Sequence, residues 1–241
     1  MSNEIDFIQF PSVSKTNEDG LLAMGGDLNV DTLVSAYAQG IFPWYNDDQP
    51  ILWWSPNPRM VLYPSQVKVS RSLSKTIKKM QFTVSCDAAF SDVISACALR
   101  GQQAGSEPVE GTWITDDMAR AYLELHEQGY AHSIEVWSDD KLVGGLYGIV
   151  LGTAFFGESM FSRVSNASKV GLVALCRHLS VSGFDIIDCQ VASDHLFSLG
   201  AVEIDRERFL KIIQNADINQ PNLNFSKSFE HTSAENVISN K

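Results

Sequence analysis

The sequence predicts an α+β fold: a mixed sheet layered with helices, preceded by a small N-terminal α/β domain. Three observations carry this. Helical and strand periods alternate from about residue 70 to residue 204, whereas the first sixty residues are broken by glycine turns, prolines and dense aromatics. A chain of 241 residues that is 44% apolar and 20% charged is long enough for one sizeable core with a smaller companion. The expected division is a small domain over 1–62, a main domain over 63–216 and a polar, loosely held tail over 217–241.

In chain order, "GLLAMGGDL" opens with glycine turns, and Asn29 or Asp31 is placed to cap a helix "TLVSAYAQ" that Gly40 stops. Prolines 43, 50, 56, 58 and 64 then forbid a continuous helix, so "IFPWYNDDQPILWWSPNPRMVLYP" reads as aromatic-lined loops with short strands. Ser70 caps "RSLSKTIKKM", with Leu73, Ile77 and Met80 on one stripe and Arg71, Lys75, Lys78 and Lys79 on another. "QFTVSC" has strand character, "AAFSDVISACALR" helical character, and "GQQAGSEPVEG" the composition of a flexible insertion. "TDDMARAYLELHEQG" is a capped amphipathic helix. The strands "AHSIEVWS" and "KLVGGLYGIVLG" follow, joined through Asp139-Asp140. Next come the strand "TAFFGESMF", a helix from about Ala167 to Val181, the strand "FDIIDCQV", a short helix "DHLFSLG" and a last strand "AVEI".

Composition excludes several classes. The start of the chain carries Glu4 and Asp6 and no long apolar run, against a signal peptide, and no stretch approaches the ~20 apolar residues of a membrane helix. A cytoplasmic protein is expected. Cys86, Cys97, Cys176 and Cys189 form no CxxC pair and the five histidines lack zinc spacing, so the thiols read as buried and reduced, with no metal. The net charge of −11 argues against nucleic acid, but its distribution does not. Between Gln49 and Cys86 there is no acid, while Arg59, Lys68, Arg71, Lys75, Lys78 and Lys79 all fall there. Screening limits distant charges to about 8 to 10 Å, so such a surface can hold phosphates locally.

The element order is that of acyl-transfer domains of the acetyltransferase (GNAT) type. The glycine-bearing turn that holds coenzyme A in those domains is replaced here by "SRVSNASK". An N-acetyltransferase therefore lacks its cofactor cradle, and a non-catalytic binder of N-terminal Arg/Lys peptides would need neither the basic helix nor the aromatic loops. The motifs "GLLAMGGDL", "AYAQGIFPWY", "ILWWSPNPRMVL", "GTWIT", "AHSIEVW", "LVGGLYGI", "FFGESMFSRVSNASK" and "IIDCQ" followed by "HLFSLGA" resemble, in order, the leucyl/phenylalanyl-tRNA–protein transferases. That resemblance implies transfer of leucine or phenylalanine, and less well methionine, from aminoacyl-tRNA to proteins with N-terminal Arg or Lys, marking them for degradation. It also implies that no cofactor is required, since the donor ester is already activated.

Individual residues fit this chemistry. The acceptor amine, with a pKa of about 7.7 to 8.0, needs positioning more than a strong base. Glu158, a carboxylate inside an apolar strand, suits the acceptor's guanidinium or ammonium. Asp188 and Gln190 are two apart on a strand and project on one face, with Ile187 and Cys189 on the other. The family's proposed catalytic pair falls on Asp188 and Gln190, and either a general base or proton transfer through the terminal ribose hydroxyl remains open. Leu146, Met160, Leu172, Leu175 and Ile187 are the candidates for the donor side-chain pocket. Trp44, Tyr45 and Trp113 are the candidates for stacking the terminal adenosine. Tyr122 matches a family position near the site. Arg71, Lys75, Lys78 and Lys79 are placed to hold acceptor-stem phosphates.

Overall fold

A computed structural model describes residues 4–80, 82–99, 114–214, 216–227, 229 and 232–233. The predicted insertion over 101–111 and Trp113 lie outside the described residues. The N-terminal segment folds as a three-stranded antiparallel sheet of β1 (Leu21–Met24), β3 (Leu52–Trp54) and β2 (Phe42–Pro43), in that spatial order. Helix α1 (Val30–Ala38) starts where Asn29 caps it, the Asn29 side chain accepting from the Thr32 N–H at 2.8 Å. Gly40 follows with φ +73°, and a Cβ there would strike Leu210. Trp53 closes this unit, its indole N–H donating to the Gly25 carbonyl and its ring meeting Phe10 edge-on.

An eight-stranded sheet forms the main body. Its order is β10 (Val202–Ile204), β4 (Arg59–Leu62), β9 (Ile186–Gln190), β8 (Ala154–Ser162), β7 (Lys141–Leu151), β6 (Ala131–Ser138), β5 (Thr83–Cys86) and β11 (Thr232–Ser233). β8 and β9 are parallel and the other neighbouring pairs antiparallel. A parallel pair needs a long crossover, and helix α5 (Ala167–Val181) supplies it. The β6–β7 hairpin turns through Asp139 and Asp140 at φ +49° and +58°, the double left-handed geometry that matches strand twist. This is the α+β element order that the sequence predicts.

Helices cover both faces. Helices α1, α3 (Phe90–Ala98), α4 (Asp116–Glu127) and α7 (Arg206–Ile213) bury Tyr37, Val93, Tyr122 and Phe209 on one face with Tyr147 and Phe156 of the sheet. Helix α2 (Arg71–Met80) and α5 bury Leu73, Ile77 and Leu175 on the other, with Leu146 and Phe155. Short helix α6 (Asp194–Ser198) links β9 to β10.

The structure differs from expectation in three places. The strand 59–62 sits inside the large sheet, between β9 and β10, so the chain crosses into the main body before residue 62. α7 was not foreseen. The tail is held more firmly than its polarity suggests: Phe225 is 1% exposed among His132, His178 and Phe155, and β11 pairs with β5.

One irregularity matters for the site. On β8, Gly157 faces Gly148 and Ser159 faces Tyr147, which leaves Glu158 without a partner across the ladder. Glu158 is the extra residue of a β-bulge. Gly148 permits it, because a Cβ there would overlap the Phe156 carbonyl and the Phe155 ring. Beyond the bulge the alternation is reversed, so Met160 joins the core on the α5 side although Phe156 lies on the opposite one.

Candidate active site

The bulge aims Glu158 at two tyrosines brought from distant elements. Tyr37 of α1 donates to Oε1 and Tyr122 of α4 to Oε2, each at 2.8 Å. The Gln190 side-chain amide also donates to Oε1, at 3.4 Å. Burial pushes both phenols well above their usual range, and the Glu158 charge pushes them further, so both keep their protons and serve as donors. The two phenol oxygens are themselves only 2.5 Å apart. An ionised Glu158 leaves two protons for three oxygen–oxygen contacts, whereas a protonated one closes the ring with a hydrogen bond on each side. Consistent with this, the Glu158 carboxyl is raised to about 7. Burial is the largest cause, opposed by the two tyrosine hydrogen bonds.

Asp188 does not sit beside Gln190 as strand alternation predicts. Its side chain is fully buried and forms a bidentate pair with Arg59 of β4, Nε to Oδ1 at 2.8 Å and Nη2 to Oδ2 at 2.7 Å. Arg59 in turn donates to the Gly40 carbonyl and lies against the rings of Phe42 and Phe209. Arg59 therefore belongs to the interior, not to the basic surface among whose residues the sequence reading counted it. Gln190 adopts φ +57°, a left-handed conformation rare for a non-glycine residue, which ends the alternation of β9. Its backbone N–H donates to Asp188 Oδ1 at 3.0 Å. Asp188 thus holds the Gln190 backbone, and the Gln190 side chain turns toward Glu158.

Beside these groups lies a cavity of about 700 Å³. Leu146, Met160, Leu172, Leu175 and Ile187, the five residues chosen for an apolar pocket, all line it together with Phe155. Glu158 and Gln190 face the same space, as do Cys189, Ser162 and Ser168. Tyr122 stands behind Glu158. Trp44 and Tyr45 do not line this cavity: Trp44 is 47% exposed and tilted against Trp54, and Tyr45 lines a separate, acid-rimmed cavity with Asp47 and Asp116. Arg71, Lys75, Lys78 and Lys79 are all exposed on α2 and none pairs with a carboxylate of the described residues. Among the described residues no group of three or more potential metal ligands occurs and no helix is long and apolar enough to cross a membrane.

Among the residues of the site not singled out from sequence as part of it are Tyr37, Arg59 and Tyr147. Arg59 carried the same signal as Glu158, a lone charge beside an apolar strand run. Tyr147 is fully buried, meets Tyr122 edge-on at 5.5 Å, and its hydroxyl has no hydrogen-bond partner among the described residues.

Two family models match the chain in succession, the leucyl/phenylalanyl-tRNA protein transferase N-terminal domain over residues 26–57 and leucyl/phenylalanyl-tRNA protein transferase over 61–214. Proteins named leucyl/phenylalanyl-tRNA–protein transferase from Cellvibrio japonicus and Aromatoleum aromaticum are 56% and 57% identical over 208 residues, each alignment covering 86% of both chains. One from Nitrosomonas eutropha is 53% identical over 214 residues, 89% of both chains. Among solved structures the likeness is faint. A GCN5-related N-acetyltransferase from Kribbella flavida is 10% identical with a TM-score of 0.36, covering 69% of this chain and 58% of that one. With a bulged carboxylate and a positioned glutamine lining one cavity beside five apolar side chains, and with relatives matched over most of its length, the chain is an aminoacyltransferase that belongs to the leucyl/phenylalanyl-tRNA–protein transferase family.

Proposed function

We propose that the protein transfers leucine or phenylalanine, and less well methionine, from its tRNA to the α-amino group of cytoplasmic proteins that begin with arginine or lysine, marking them for degradation. The observation that carries this reading is the placement of Glu158 in the wall of the same cavity that the five apolar side chains line. The donor side chain occupies the apolar end, walled by Leu146, Met160, Leu172, Leu175 and Ile187. Met160 lets that wall adapt to the different shapes of leucine and phenylalanine.

The acceptor's first side chain pairs with Glu158, and its amine is held by the Gln190 side-chain carbonyl, the amide N–H₂ being turned toward Glu158. Amine nitrogen attacks the ester carbonyl carbon, the amide bond forms, and the bond to the ribose oxygen breaks. That oxygen takes the proton which the nitrogen loses. Asp188 acts as a positioning residue, since it touches Arg59 and the Gln190 backbone and does not line the cavity. Arg71, Lys75, Lys78 and Lys79, exposed along α2, hold acceptor-stem phosphates.

The test incubates the protein with labelled Leu-tRNA and two peptides differing only at the first residue, Arg or Ala, alongside Glu158→Gln. Label is expected on the Arg peptide alone, with KM for that peptide raised about 10- to 100-fold in the variant, the loss of one charge-assisted pair. Equal labelling of both peptides by the unaltered protein would overturn the assignment of Glu158.

A further inference from the structure

Between the cavity and the basic helix runs a surface that the mechanism above does not use. Ser193, the N-cap of α6, lines the cavity with His195 and Leu196 of that helix. Flanking them, Val191 and Phe197 expose 52% and 43% of their surface, two large apolar side chains within a seven-residue stretch. The far end of α6 is tied to the approach to α2. The Lys68 N–H donates to the Leu199 carbonyl at 2.8 Å, and Gly200 packs against Gln66 and Lys68. Lys68 is exposed, and Arg71 opens α2 three residues later. An apolar rim bearing one exposed aromatic ring thus leads from the cavity mouth to the first of five cations.

We infer that this rim is a subsite for the two unpaired nucleotides that precede the terminal adenosine of the donor, with a base stacked on Phe197 and a phosphate neutralised by Lys68. The inference rests on the placement of the donor amino acid in the cavity. A single strand leaving that cavity must cross α6 to bring its duplex to α2, and stacking on an aromatic ring beside a cation is how proteins hold single strands without reading sequence. Charge selects this occupant over the acceptor polypeptide, whose own cationic first residue is repelled by Lys68. The acid on the rim, Asp194, lies at the end of α6 remote from Lys68.

The experiment measures KM for three leucyl donors, carried on adenosine, on the trinucleotide CCA and on whole tRNA, with the unaltered protein, Phe197→Ala and Phe197→Tyr. The trinucleotide is expected to be a better donor than adenosine, and Phe197→Ala to shrink that advantage roughly 5- to 10-fold, a stacking effect at a half-exposed ring. Phe197→Tyr should restore it. Equal use of the adenosine and trinucleotide donors by the unaltered protein, or a Phe197→Ala effect identical for all three donors, would overturn the subsite while leaving the cavity assignment intact. Failure of the cavity assignment shows separately: Leu172→Trp, which fills the apolar end, would then leave transfer from leucyl-adenosine unchanged, and the subsite would fall with it.

Discussion

Glu158 combines the strongest sequence signal with the most perturbed chemistry of the site. Its carboxyl is raised from 4.5 to about 7, so between those values the folded protein binds a proton that the unfolded chain does not. Stability from this group is therefore present below about pH 4.5 and declines as pH rises to about 7, after which it is flat. Wild type should lose about 2 kcal/mol relative to Glu158→Gln across that window, a figure discounted for the carboxylate's partial exposure. Denaturant midpoints of both proteins at each pH measure it, and parallel curves would contradict the shift. A lone acid in an apolar strand announced this residue. Its partners were not legible, because Tyr37 lies 121 residues away and looks in sequence like any buried helix tyrosine. Likewise the Arg59–Asp188 pair spans 129 residues. The misjudged face of Gln190 has a local cause, a left-handed residue that no alternation rule anticipates.

Elements with a complete set of local signals were read almost to the residue. Asn29, Ser70 and Thr115 each accept from a backbone N–H in the first turn of α1, α2 and α4, as their sequence positions foretell. Short elements without such signals were missed: β11 has two residues, too few to show a period, and α7 lies between a strand and a polar tail. The basic face of α2 was legible because its stripe is free of acids. Neutralising Arg71 and Lys79 together is expected to weaken tRNA binding and to flatten the slope of log Kd against log salt by about 1 to 2. Titration at several salt concentrations checks this, and an unchanged slope would remove α2 from the tRNA surface.

At the scale of the whole molecule, one sheet separates two cores, and the chain's ends help to close it. Phe225 and Phe229 plug the α5 side, where Phe225 meets the His132 and His178 rings. Phe225→Ala should therefore cost about 3 to 5 kcal/mol, read as a shift in denaturant midpoint, whereas a freely dangling tail would show no change. The polar average of the tail hid this, because two phenylalanines among many polar residues decide where it docks. Strand β4 works in the opposite direction. It carries the N-terminal unit into the large sheet, one strand in from its edge, so Tyr37 and Arg59 reach the same site from the two sides of that junction.

The ring of Glu158, Tyr37 and Tyr122 lacks one proton whenever the carboxylate is ionised. On the proposed mechanism, an arriving arginine or lysine supplies the missing positive charge from outside and expels the proton that filled the ring. Acceptor and proton then contend for one seat, and the site behaves as a small ion exchanger. Acidity becomes a competitive inhibitor of the acceptor, so on that mechanism a fall in pH slows transfer with no regulator beyond the solvent itself.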